Sequence, residues 1–216
     1  MSLDTSFDIK NVMCLFFYDL RDTINLYNLN KDHQDNIIIT NLYDIPYEYL
    51  TGLNQQIIEQ NKYKYVKKLN AYDNKEIKNV NHMKNLKILD CGSVYWMAGA
   101  IDQNGISELN LIELIASNNA RIKNVNHMKK TLKILNCSYD CGIDQNGISE
   151  LNLIELRMSY NNKIKNINYM KKTLKILCYG GYVGFDIEID QKGISELNLI
   201  KLITITENND LITWKK

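Results

Sequence analysis

From about residue 65 onward the chain repeats itself roughly every 21 residues, and every second copy matches best. Ile101–Leu114 (IDQNGISELNLIEL) returns unchanged as Ile143–Leu156, and with two changes as Ile189–Leu202 (IDQKGISELNLIKL). The copies between them are Ile77–Leu89 (IKNVNHMKNLKIL), Ile122–Leu135 (IKNVNHMKKTLKIL) and Ile164–Leu177 (IKNINYMKKTLKIL). A unit this short cannot bury an apolar face by itself. It folds only by stacking on its neighbours, so the repeat predicts a solenoid.

Aligned on its first apolar residue, position i, each copy reads apolar-x-x-Leu-x-small-x-x-Asn/Asp-x-x-Ile. The rule gives Val66, Leu69, Ala71, Asn74, Ile77; then Leu111, Leu114, Ala116, Asn119, Ile122. It continues with Leu132, Leu135, Cys137, Asp140, Ile143 and with Leu153, Leu156, Met158, Asn161, Ile164. Further copies start at Leu86, Leu174 and Leu199, which makes seven strand-forming segments. Apolar residues at i+3 and i+5 alternate to one side of an extended chain, and a helical period cannot give spacings of three and then two. The Asn or Asp at i+8 can bond nearby backbone where the chain turns out of the strand.

This pattern resembles the leucine-rich repeat over Tyr65–Trp214, and the whole chain looks like proteins of low-GC giant viruses of amoebae. The resemblance implies an α/β, right-handed solenoid. It would have seven short parallel strands, an irregular or short helical convex side, and a boundary between residues 1–64 and 65–216. Two copies depart from the pattern. Leu86 to Leu111 and Leu174 to Leu199 are each 25 residues apart, through inserts at Ser93–Ala100 and around Gly180–Glu188, and the i+8 slot then holds Val94 and Tyr182. Three residues before each first leucine the charge alternates as Glu108, Lys129, Glu150, Lys171, Glu196, which predicts an opposite-charge ladder that also fixes register.

Residues 7–64 lie outside the repeat and read as helices over roughly Asp8–Tyr18, Arg21–Asn30, Asp32–Leu42 and Tyr47–Asn61, a helical cap for the first strand. Phe16–Ile38 resembles the later part of an F-box, without that family's opening Leu-Pro or its tryptophan. The resemblance implies docking on a cullin-ligase adaptor through Leu20, Ile24, Leu26 and Leu29. Before a repeat domain it implies a substrate receptor of a cullin ubiquitin ligase.

A net charge of +1 gives no reason to expect nucleic acid or an anionic membrane as partner. No apolar run approaches a bilayer span, and the opening Met-Ser-Leu-Asp-Thr is unlike a secretory signal. Five irregularly spaced cysteines fit a reducing compartment. Together these predict a cytoplasmic location, the host cytoplasm if the chain is viral.

No catalytic constellation, cofactor motif or metal site is expected. His82 and His127 occupy equivalent slots, with Tyr169 in the third copy, and read as structural. Cys91 and Cys137 stand where other copies have Ala71 and Ala116, as small core residues. Cys178 is expected to face outward as a free thiol. Asp102, Asp144 and Asp190 read as turn caps.

In this fold the residues between inward leucines face outward. The expected protein-binding set is Asp90, Glu113, Ile115, Asn136, Glu155 and Arg157, with Tyr139 and Tyr160 at i+7. The inserts add Tyr95, Trp96, Met97, Tyr182 and Phe185 as aromatic contact residues. The last strand, Leu199–Thr206, offers an open edge for a weak homodimer unless Trp214 caps it. The expected function is non-catalytic protein–protein interaction, with the ligase receptor and a structural or self-associating protein as alternatives.

Overall fold

The computed structural model describes residues 39–44, 52–94, 99–181, 191–205 and 211–215. They form one nine-stranded sheet whose strand order is the chain order. The strands are β1 (Asn41–Leu42), β2 (Lys68–Asn70), β3 (Ile88–Asp90), β4 (Glu113–Ile115), β5 (Ile134–Asn136), β6 (Glu155–Arg157), β7 (Ile176–Gly180), β8 (Lys201–Ile205) and β9 (Leu211–Lys215). β1 through β8 run parallel, each beside the next; β9 turns back antiparallel to β8. The fold is thus α/β; among the described residues it has two one-turn helices, α1 (Gln55–Ile58) and α2 (Gln191–Ile194), and 3-10 turns such as Asn104–Ile106 on the returns.

Each of the seven segments predicted from the repeat is a strand, and every strand begins two residues after its first apolar position. The register explains why. Leu42, Leu69, Leu89, Leu114, Leu135, Leu156, Leu177 and Leu202 stand directly opposite one another from strand to strand. From Leu42 to Leu177 all are fully buried. A slip by one residue would turn this leucine column to solvent. The i+5 column is buried too, with Ala71, Cys91, Ala116, Cys137 and Met158 in equivalent slots.

Asparagines at i+8 tie one coil to the one before it. Asn119 Nδ2 donates to the carbonyls of Cys91 and Ile101, both at 3.0 Å, while its Oδ1 accepts from Arg121 N. Asn161 does the same to Cys137 and Ile143, at 2.8 and 3.0 Å. Cys91 and Ile101 flank the first insert, Ser93–Ala100, so Asn119 clasps the backbone on either side of it. Asp140 departs from the expectation: it is exposed, and the neighbouring Cys141 is buried instead. A carboxylate has no N–H to give the two buried carbonyls, so it cannot take the asparagine's place.

The two alternating copies hold each other with different side chains. Gln103 Oε1 accepts from Lys123 N and Asn124 N of the next coil, and Gln145 repeats this with Lys165 and Asn166. In the other direction of alternation, Asn126 Oδ1 accepts from Glu150 N while its Nδ2 donates to Asn146 O at 2.7 Å. Gly105, Gly147 and Gly193 permit the close approach: a Cβ at Gly147 would lie 2.1 Å from the Lys123 carbonyl oxygen. These forward clamps give the two-copy repeat its physical meaning.

Several expectations change. Asn41–Leu42, read as the end of a helix, is a strand paired with Lys68–Leu69, so the sheet is already under way before residue 65. The helix over Tyr47–Asn61 is reduced, in its described part, to the single turn Gln55–Ile58, followed by a 3-10 turn at Asn61–Tyr63. Gln55 Oε1 accepts from Lys78 N and Asn79 N as Gln103 does from Lys123 and Asn124, so this segment behaves as a diverged coil. The edge of β8 is not open: β9 occupies it, with Trp214 opposite Leu202. The charge ladder resolves, among the described residues, into three separate pairs, Lys84–Glu108, Lys129–Glu150 and Lys171–Glu196. The helices over residues 8–38 lie outside the described residues.

Candidate interaction surface

The core face of the sheet is closed by the leucine column, so the opposite face carries what is left to meet a partner. Two rows cross it in register. The first runs Lys68, Ile88, Glu113, Ile134, Glu155, Ile176, Lys201; the second runs Asn70, Asp90, Ile115, Asn136, Arg157, Cys178, Ile203. The structure therefore brings Asp90, Glu113, Ile115, Asn136, Glu155 and Arg157 together on one face across β3 to β6. Most are half-buried, while Lys68 and Arg157 are exposed.

The charges on this face are unevenly answered. Arg157 Nε donates to Glu155 Oε1 at 2.6 Å, and the Glu155 side chain is only 13 % exposed. Asp90 Oδ1 accepts from Gly92 N at 2.9 Å, the local turn bond that Asn70 and Asn136 also make in their coils. Burial, reinforced by Glu113, pushes the Asp90 carboxyl up to about 6 against the opposing Gly92 bond. Tyr43, from the end of β1, is raised by burial and then by Asp90 and Glu113, with Arg157 acting the other way. Its hydroxyl thus shares the field of residues from β3, β4 and β6.

At the rim, Tyr139 and Tyr160 occupy the i+7 turn with φ of 61° each. The equivalent positions hold Asp73 and Asn118, also left-handed, and both residue types tolerate that region. Tyrosine does not, and the two rings compensate by stacking on each other. Tyr139 remains 47 % exposed.

The residues considered for chemistry have structural duties. His82 Nε2 donates to Ile58 O, His127 Nε2 to Ile106 O, and the Tyr169 hydroxyl to Ile148 O at 2.8 Å, one slot in three coils. Asp102 and Asp144 accept from Gly105 N and Gly147 N in their own turns. Cys91, Cys137 and Cys141 are buried free thiols, Cys141 pushed up to about 11 by burial. Cys178 is half-buried, 3.4 Å from Ser159 Oγ. Among the described residues no group of three or more His, Cys, Asp or Glu side chains could hold a metal ion, and no helix is long and apolar enough to cross a membrane.

Tyr95, Trp96, Met97, Tyr182 and Phe185 of the inserts lie outside the described residues, as do Leu20, Ile24, Leu26 and Leu29. Sequence reasoning missed Tyr43, because β1 is only two residues long. It also missed Lys84, because its copy lacks the threonine that Thr131 and Thr173 supply, which shifts Lys84 by one position. Comparison with known proteins adds no relative: no protein-family model matches the chain, and no curated protein is similar to it.

Proposed function

We propose that the chain is a right-handed leucine-rich-repeat solenoid that binds a protein partner, without catalysis, on the concave outer face of its sheet. The observation that carries this is the pair of in-register rows across β2–β8: in the first, isoleucines alternate with single charges, and in the second Ile115 and Ile203 stand among charges, amides and Cys178. A face kept only for solvent has no use for Ile88, Ile115, Ile134, Ile176 and Ile203; apolar groups ringed by polar ones suit a partner. The tyrosine stack supports the reading. Two left-handed tyrosines are a poor choice for stability and a good one for rigid contact.

A photo-crosslinking residue placed at Ile115, and in a control at the exposed Lys123 on the return side, tests the proposal in extract from the native cell. One protein captured from position 115 only, and lost with Glu113→Lys plus Arg157→Glu, is expected. Equal capture from both positions, or none from either, sinks the reading. The ligase-receptor alternative rests on the Phe16–Ile38 resemblance. It requires a one-to-one complex with the adaptor subunit in size-exclusion chromatography, lost on Leu26→Asp.

A further inference from the structure

The residue just before each strand forms a third row, on the edge where the chain enters the sheet. It runs Lys67, Lys87, Ile112, Lys133, Ile154, Lys175, Ile200. Its backbone is a continuous ladder: each N–H from Lys87 to Ile200 donates to the carbonyl of the residue before it in the row, at 2.8–2.9 Å. The row is therefore continuous, with one residue per strand spacing. From Lys87 onward lysine and isoleucine strictly alternate, as the two-copy repeat dictates.

The isoleucines are not core. Ile112 is 45 % exposed, Ile154 46 % and Ile200 57 %, three of the largest apolar exposures among the described residues. Nor are the lysines neutralised. The edge's ion pairs use Lys84, Lys129 and Lys171; among the described residues Lys130, Lys133, Lys172 and Lys175 meet no carboxylate. The edge is a single file of apolar side chains with cations between and beside them.

We propose that this edge is a second docking surface, and that its occupant is an acidic amphipathic helix of a protein partner. Charge complementarity sets the sign, and spacing sets the shape. Isoleucines two strands apart repeat at about 9.6 Å. One face of an α-helix repeats every seven residues, about 10.5 Å, so a slightly inclined helix keeps pace with the row. An extended segment laid along the row would repeat on one face about every 6.7 Å and lose step within two side chains. From Ile112 to Ile200 is about 19 Å, which two heptads cover. Apolar residues at every seventh position would pack against Ile112, Ile154 and Ile200, and Glu or Asp between them would meet Lys133 and Lys175. An anionic bilayer fits less well: the isoleucines stand in one line rather than a patch, and Glu108, Glu150 and Glu196 share the edge.

The inference stands apart from the outer-face reading, because it uses different residues. The test is fluorescence anisotropy of a labelled helical peptide of about sixteen residues, Leu at each seventh position and Glu between, against its Glu→Lys counterpart. The acidic peptide is expected to bind the full chain and the basic one not. Ile154→Ser with Lys133→Glu and Lys175→Glu should weaken binding at least tenfold with the thermal midpoint nearly unchanged, since Ile154 is exposed and the two half-buried lysines make no ion pair among the described residues. Glu113→Lys on the outer face should leave it unaltered. Equal binding of both peptides, no binding of either, or an unaffected triple variant overturns the proposal. So does binding to phosphatidylserine vesicles in place of the peptide, which would assign the edge to membranes.

Discussion

The rings of Tyr139 and Tyr160 lie 5.1 Å apart with 7° between their planes, each carried by a residue whose φ is 61°. The left-handed backbone costs on the order of 1 kcal/mol at each position. Their stacking contributes about 0.5–1.5 kcal/mol for the pair, close to what one of the two positions costs, so it offsets only part of the strain.

Replacing Tyr139 with Asn, the residue the chain itself uses at Asn118, should therefore change stability by less than about 1 kcal/mol in urea denaturation. Tyr139→Val should cost clearly more, since a β-branched residue resists positive φ. If the tyrosines serve a partner, Tyr139→Asn weakens binding while the fold stays intact. A Tyr139→Asn loss as large as a core deletion would make the pair structural instead.

Asn119→Ala should destabilise by roughly 2–4 kcal/mol, because the Cys91 and Ile101 carbonyls lose their donor inside the core. Asn119→Asp should be worse at neutral pH, placing a buried carboxylate against two carbonyl oxygens. Chemical denaturation of the two variants checks the order, and an aspartate that is tolerated at pH 7 would refute the clasp.

Gly147→Ala forces a Cβ to within 2.1 Å of Lys123 O. With backbone on the other side of the clash, neighbouring coils must part, and a loss of about 1–3 kcal/mol or more follows. Hydrogen exchange should speed up at Val125, whose N–H donates to Gly147 O at 3.0 Å. Unchanged protection there would show that the coils are not held by this contact.

The raised Asp90 carboxyl gives stability a definite slope. Its folded-state value, about 6, exceeds the ordinary 3.8, so the folded chain holds this proton more tightly than the unfolded one. The contribution is complete below about pH 4 and is lost as pH rises through 6. Asp90→Asn keeps an acceptor for Gly92 N and removes the ionisation. It should be more stable than the parent at pH 7 and nearly equal to it at pH 4, by urea midpoints at the two pH values. A variant equally displaced at both would rule out the linkage.

The surface pairs behave differently. Lys129 and Glu150 are about half exposed, 51 % and 52 %, so Lys129→Ala should cost no more than about 1 kcal/mol and less at high salt. A larger, salt-independent loss in thermal melts would mean that the pair has a role beyond charge.

Reading the sequence located the strands because each copy states them locally. Leu114 and Ala116 alternate inward whatever coil lies beside them, and seven copies in phase leave one register for the leucine column. The placement of Asp90, Glu113, Glu155 and Arg157 on one face follows from the same parity. What the sequence left open depends on contacts between coils. Asn41–Leu42 is too short to announce a strand, and it is one only because Lys68–Leu69 offers it a partner edge. Asp140 satisfies the repeat's spelling but has no N–H to make the bonds that Asn119 and Asn161 make in their coils, and it stands exposed with Cys141 buried beside it. Gln103 and Asn126 look like ordinary surface amides until stacking brings the next coil's backbone within their reach. The alternation along the repeat therefore fixed which residues point inward. Tertiary stacking alone decided which polar side chains tie the coils together, because those bonds join residues some twenty or more positions apart.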